Sequence, residues 1–332
     1  MNKPYALLRS GFPFHATLGM RRVTTNPMDM TIGKDGILYV LNRSDGIGAE
    51  IRKTNWDDED LGIIGSGLQW PVQMIIDDLE HLYISDEAKN KIIVFDTSGK
   101  EINSWGDYGT EEGEINRPSG ICFDKDENLL VVNTFNHMIS RFTKSGNHIN
   151  SFGKKGQKEG FFNYPWGIAI DPTDGNYLIS DWGNNRIQRF DSEGNFIKSF
   201  ASKGDGLGEL NGPAGIAVDS QGDIFVADRG NHRVVQYDNE GKYVDRFIGD
   251  SVLSKSARTY LMANARALRA REMSTLEQSR RFRAPASVRI YDDLMYVPDN
   301  GSHRIQVYKK EAYELQPDNI LPDDGIPFLY TV

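Results

Sequence analysis

Six proline–Asx pairs set at one offset constrain this chain more than any other feature. Pro27, Pro71, Pro118, Pro165, Pro213 and Pro285 are followed, fourteen to sixteen residues on, by Asn42, Asp86, Asn133, Asp181, Asp228 and Asp299. Isolated prolines and aspartates are common, but six matched pairs recurring every 44 to 48 residues make a structural repeat. Only the last interval is longer, by roughly one helix-sized insertion.

Each unit has room for four short strands. The fifth reads GPAGIAVD, QGDIFVAD, GNHRVVQYD and EGKYVDRF, apolar runs separated by glycine and Asx residues that supply positive φ or local turn hydrogen bonds. A four-stranded antiparallel blade is apolar on both faces, so neighbouring units must stack, and radial closure leaves no terminal face uncovered. The expected fold is all-β: a six-bladed β-propeller of four-stranded antiparallel blades in one domain over residues 1–332. The sixth unit lacks an outer strand after Tyr308, while FPFHATLG at residues 12–19 matches the outer-strand ends NSWG, NSFG and DRFIG of other units. The N-terminal stretch is therefore expected to close the last blade. The tail 309–332 departs from the repeat, with Phe328 and Leu329 as its candidate anchors.

RPSGICFD with NLLVVNTFNHMISRF, YPWGIAID with YLISDWGNNRIQRF, and GPAGIAVD with DIFVADRGNHRVVQYD resemble NHL repeats. The resemblance covers about residues 20–309 and implies the six-bladed fold. For function it implies several classes, since similar propellers serve as RNA-binding, protein-binding, lyase and hydrolase modules, and fold does not select chemistry. Blade one departs in the long turn RSDGIGAEIRK, and blade two lacks the glycine of PxG.

In such blades the turns between second and third strands share one face with the inter-blade connectors. That face collects Arg43, Trp70, Arg117, Phe135, Trp166, Trp182 and Arg229, the candidate ligand contacts around an axial mouth. Aromatic side chains bury a ligand body and arginines pair its acidic groups. The competing use of the same residues is to pack loops and clamp carbonyls. The Asx residues ending the second strands recur in every blade, which favours turn capping over catalysis. His137, His232 and His303 occupy equivalent turns where other blades carry Asn90 and Asn185, which favours capping over metal ligation. No metal or cofactor is expected, and no residue is assigned to catalysis.

Residues 251–283, SVLSKSARTYLMANARALRAREMSTLEQSRRFR, carry eight basic and two acidic side chains, a net +6 in a chain of net charge −9. Leu261, Ala265 and Leu268 follow helical spacing, and no Pro or Gly interrupts a helix of at least twenty residues on the mouth face. Three uses are open to it: a lid over the mouth, a docking element for a protein or a second copy of the chain, or a shield at the ring's edge. Arg266, Arg269 and Arg271 are its candidate partner contacts.

The remaining composition narrows the class. The acidic body disfavours a general nucleic-acid surface, and no run is long and apolar enough to span a bilayer. The N-terminal residues show no secretory pattern, and Cys122 is a lone cysteine in an apolar run, so a cytoplasmic location is expected. The leading expectation is a ligand- or protein-binding propeller for an acidic small molecule or protein. The alternative is a propeller lyase or hydrolase acting on an acidic small molecule.

Overall fold

The computed structural model describes residues 8–19, 24–44, 48–273 and 276–314. Phe328, Leu329 and the rest of 315–332 lie outside the described residues. Six four-stranded antiparallel sheets follow one another around the ring; in the fourth, strands Pro165–Ile170, Tyr177–Asp181, Arg186–Phe190 and Phe196–Phe200 run from the axis to the rim. The sixth blade is completed from the other end of the chain. Strand Phe14–Leu18 pairs antiparallel with Arg304–Lys309, placing Leu18 opposite Ile305 and Phe14 opposite Tyr308. Beyond this closure, Leu8–Gly11 and Glu311–Glu314 form a two-stranded ribbon that the repeat grammar did not announce.

The second strands explain why the repeat reads as apolar runs and not as alternation. In LYISD, LLVVN, YLISD and IFVAD every residue is buried, because both faces of the strand meet a neighbouring blade. The core accordingly divides into six clusters, one at each blade junction. Leu18 joins Met30, Leu38 and Val40 of blade one to Tyr296, Ile305 and Val307 of blade six, so the closing strand fills the last junction.

The innermost strands approach backbone to backbone where the repeat carries PxG. A Cβ on Gly120 would lie 2.6 Å from the Trp166 carbonyl oxygen, and one on Gly215 would lie 2.6 Å from Ser287 Cα. Where glycine is absent, a side chain bridges the wider gap: Asp29 Oδ2 accepts the Met74 amide at 2.9 Å and Gln73 Oε1 accepts the Ile121 amide at 2.6 Å. The departure of blade two from PxG is thus a second solution to the same inter-blade contact.

The inserted segment is helical but not one helix. It forms α1 (Lys255–Met262), α2 (Ala265–Glu272) and α3 (Leu276–Arg280). Asn264 interrupts it: its backbone is extended and its side chain accepts the Ala267 amide, capping α2. Nor does the whole segment stay on the mouth face. Lys255 Nζ lies 2.6 Å from Asp57, and Asp58 accepts the Ser256 amide at 2.9 Å, tying α1 to the turn between the third and fourth strands of blade one, at the opposite end of that blade. The segment therefore flanks the ring's outer edge. Among the described residues no helix is long and apolar enough to cross a membrane.

Two substitutions test this closure. Leu18→Ala empties part of the last junction and is expected to destabilise by about 2–4 kcal/mol in equilibrium unfolding. Gly215→Ala forces Cβ against the next inner strand and is expected to cost roughly 1–3 kcal/mol. Stability unchanged by both would reject a tightly closed ring.

Candidate functional site

One face of the ring is built from a repeated latch. The turn after the second strand ends on Asn90, His137, Asn185, His232 or His303, each left-handed with φ between 54° and 56°. Its side chain accepts the backbone N–H of the residue preceding the next blade's proline. Asn90 Oδ1 takes Arg117 N at 2.8 Å, His137 Nδ1 takes Tyr164 N at 3.0 Å, and Asn185 Oδ1 takes Gly212 N at 2.8 Å. His232 Nδ1 takes Ala284 N at 2.9 Å, and His303 Nδ1 takes Asn26 N at 3.0 Å. Asn and His interchange because each offers one acceptor at the same reach. Accepting at Nδ1 places the proton of the neutral ring on Nε2.

A second layer holds the latch. Asp181, Asp228 and Asp299 accept the amides of Asn163, Asn211 and Arg283 at 2.7 to 2.8 Å. The same carboxylates take Nε of Arg186, Arg233 and Arg304, whose remaining nitrogens donate to carbonyls of the preceding connector. Burial pushes these three carboxyls above their ordinary range, while the bonds they accept pull the other way.

The candidate ligand contacts stand on this frame, and most also bridge blades. Blade one has the long hairpin in place of the short turn, and there Arg43 stacks on Trp70, 3.7 Å from the ring centre. Arg117 donates to Glu87 at 2.9 Å and lies 4.9 Å from the Phe135 ring centre, and Phe135 meets Tyr164 at 5.1 Å. Arg229 reaches the Ala284 carbonyl at 3.2 Å and Asn300 Oδ1 at 3.3 Å, and burial draws its pKa below the ordinary value. Trp70, Phe135 and Trp182 remain 40–44% exposed, so this face keeps aromatic surface open to a ligand.

Trp166 lies deeper than the rim. Its carbonyl accepts the Ser119 hydroxyl at 2.8 Å, and its ring packs against the junction of blades five and six. With Gln73, Gly120, Gly167, Gly215 and Ser287 it lines an axial void of about 10 Å³, room for no more than one water. Trp166 thus sits at the axial void, toward the junction of blades five and six. Below it Arg289 spans blades six, one and two, donating from Nε to Asp29 at 2.8 Å and from Nη2 to the Met74 carbonyl at 3.0 Å. No sequence signal singled out that pair.

The partner-contact candidates separate. Arg266 and Arg269 are exposed on α2, whereas Arg271 turns toward a cleft of about 510 Å³ inside the insertion. Arg258, Arg280 and Arg281 share that cleft and were missed, because a single straight helix would have scattered them. Asn264, a good helix cap in ANARAL, was the available signal. Among the described residues no group of three or more His, Cys, Asp or Glu side chains is arranged to hold a metal ion. Cys122 packs at the junction of blades three and four, and burial pushes its thiol well above the ordinary range.

The NHL repeat family model matches residues 162–190 and 210–237, in blades four and five. Two of the six blades thus match NHL repeats, within a six-bladed propeller. No curated protein matches it. Among solved structures, the propeller is similar to virginiamycin B lyase from Staphylococcus aureus, solved as a catalytically inactive variant with quinupristin. That likeness has a TM-score of 0.57 and 15% identity over 94% of this chain and 90% of that one. A streptogramin B lyase is similar at TM-score 0.56 and 12% identity, covering 96% and 91% of the two chains. A protein of unknown function from Bacteroides thetaiotaomicron reaches TM-score 0.62 at 15% identity, covering 92% and 76%. Likeness at these identities is likeness of fold.

The latch makes a pH prediction. Burial, then the Lys155 charge, hold the His137 pKa below its ordinary 6.5, so folding favours the neutral ring. Its stabilisation is present above the ordinary value and is lost as pH falls through the lowered one. His137→Asn keeps an acceptor, as Asn90 and Asn185 do, without the proton. Thermal unfolding between about pH 7.5 and 5 is expected to decline less steeply for His137→Asn than for wild type; identical slopes would remove His137 from the latch.

Proposed function

We propose that this propeller acts on an acidic small molecule at its latched face, as a lyase or hydrolase. The observation that carries the reading is the rim itself, where Arg117 and Arg229 stand among the half-exposed rings of Trp70, Phe135 and Trp182, with Trp166 at the axial void. Fixed guanidinium groups beside apolar surface can bind a carboxylate and stabilise the negative charge that develops when a bond beside a carbonyl breaks. Because those groups are clamped between blades, little reorganisation accompanies binding. The two lyases of the same fold, one solved with quinupristin, lend the reading its reaction class.

A panel of acidic esters, lactones and amides, followed by mass spectrometry, distinguishes the chemistries: elimination splits the substrate without adding water, and hydrolysis adds one. Arg117→Met and Trp182→Ala are expected to lower kcat/KM about tenfold or more, as loss of a charge-assisted contact or an aromatic platform would, with a wild-type circular dichroism spectrum at the assay temperature; Arg117→Met, which leaves the buried Glu87 carboxylate unpaired, also lowers the unfolding temperature.

A second reading, binding without turnover, draws support from the nearly closed axis, which makes the face shallow and suited to a partner surface. Saturable binding sensitive to the same variants, with no product from any substrate, would favour it over catalysis.

A further inference from the structure

The cleft inside the insertion is built at both ends. At its neck Phe282 N donates to the Ile248 carbonyl at 3.0 Å and Ser251 N to that of Arg280 at 3.2 Å. Arg304 adds bonds to the carbonyls of Ser279 at 2.7 Å and Arg281 at 2.8 Å. At the far end Ser254 caps α1, and Asp58 holds both the Ser256 amide and, at 2.6 Å, the Gly19 amide behind the closing strand. Between neck and anchor lies the space of about 510 Å³, lined by Arg258, Arg271, Arg280, Arg281, Asp250 and Glu277. This volume falls within the range of small-molecule sites.

Four arginines and two acidic residues line that space, and Glu277 is already engaged by Arg281 at 3.2 Å. Among the described residues the guanidinium groups of Arg258 and Arg280 have no hydrogen-bond or ion-pair partner. Positive charges gathered around one concavity repel one another, and a bound anion relieves that repulsion. Guanidinium groups also match oxyanions bidentately. We infer that this cleft is a second binding site, separate from the latched face, for a small molecule carrying two or more oxyanion groups, phosphate or carboxylate. A ligand there would bridge α1, anchored on blade one, to the neck between blades five and six, and so would fasten the ring at its closing blade.

Titration calorimetry and thermal unfolding at matched ionic strength test the site, with pyrophosphate and citrate as probes and chloride as the control. Saturable binding of at least one probe with a raised unfolding temperature is expected, and the preferred probe identifies phosphate or carboxylate as the natural group. Arg258→Gln/Arg280→Gln is expected to weaken binding about tenfold or more, whereas Arg266→Gln/Arg269→Gln, outside the cleft, should leave it within about twofold of wild type. Arg258→Gln alone serves if the double variant does not fold. Absence of saturable binding by either probe, or equal weakening in the two pairs, would overturn the assignment.

Discussion

A four-stranded blade whose second strand is buried on both sides cannot be stable by itself, and everything else in this protein follows from that need for neighbours. Each junction encloses its own apolar cluster, so the ring holds six thin cores in place of one. Closing the ring with a strand from the opposite terminus turns the last junction into one more of the same kind. Without Phe14–Leu18, blade six would present an open strand edge and blade one would lose Leu18 from its cluster.

Stacking apolar faces sets the spacing of the blades but does not orient them, and the polar contacts do that. Near the axis the inner strands meet through glycine or through the Asp29 and Gln73 side chains. At the latched face a turn acceptor from one blade holds the amide that starts the next, backed by an Asp–Arg pair in blades four, five and six. These carboxylates are fully buried, so each must be satisfied, and each accepts bonds from both its own blade and the incoming connector. The residues best placed to meet a ligand are the same ones that clamp the frame. Arg43 on Trp70 joins blades one and two, where the described residues show no such latch, and Arg117 and Arg229 bridge successive blades while leaving aromatic surface exposed beside them.

The insertion shows where local reading of the chain loses its hold. Helical propensity and the Leu261, Ala265 and Leu268 spacing correctly announced helix, but propensity is blind to a break that one capped turn can impose at Asn264. That break divides the segment, and Arg271 lines one cleft with Arg258, Arg280 and Arg281, while Arg266 and Arg269 remain outside. Trp166 was legible as a residue near the axis. Its depth was not, because depth depends on how closely Gly120, Gly167 and Gly215 let three strands converge.

The sequence by itself determined the number of blades, their strand order and the identity of the closing strand. All three are properties of repetition, and repetition is written along the chain in Pro–Asx spacing and apolar runs. It also marked the histidine turns as repeated positions, since Asn90 and Asn185 stand in for His137, His232 and His303. Only the tertiary structure decided which side chains bridge blades, how nearly the axis closes, and which arginines share a cavity. Those depend on distances between residues dozens to hundreds of positions apart, as between Lys255 and Asp57 or Arg289 and Asp29, and such distances are set by packing that no local pattern encodes.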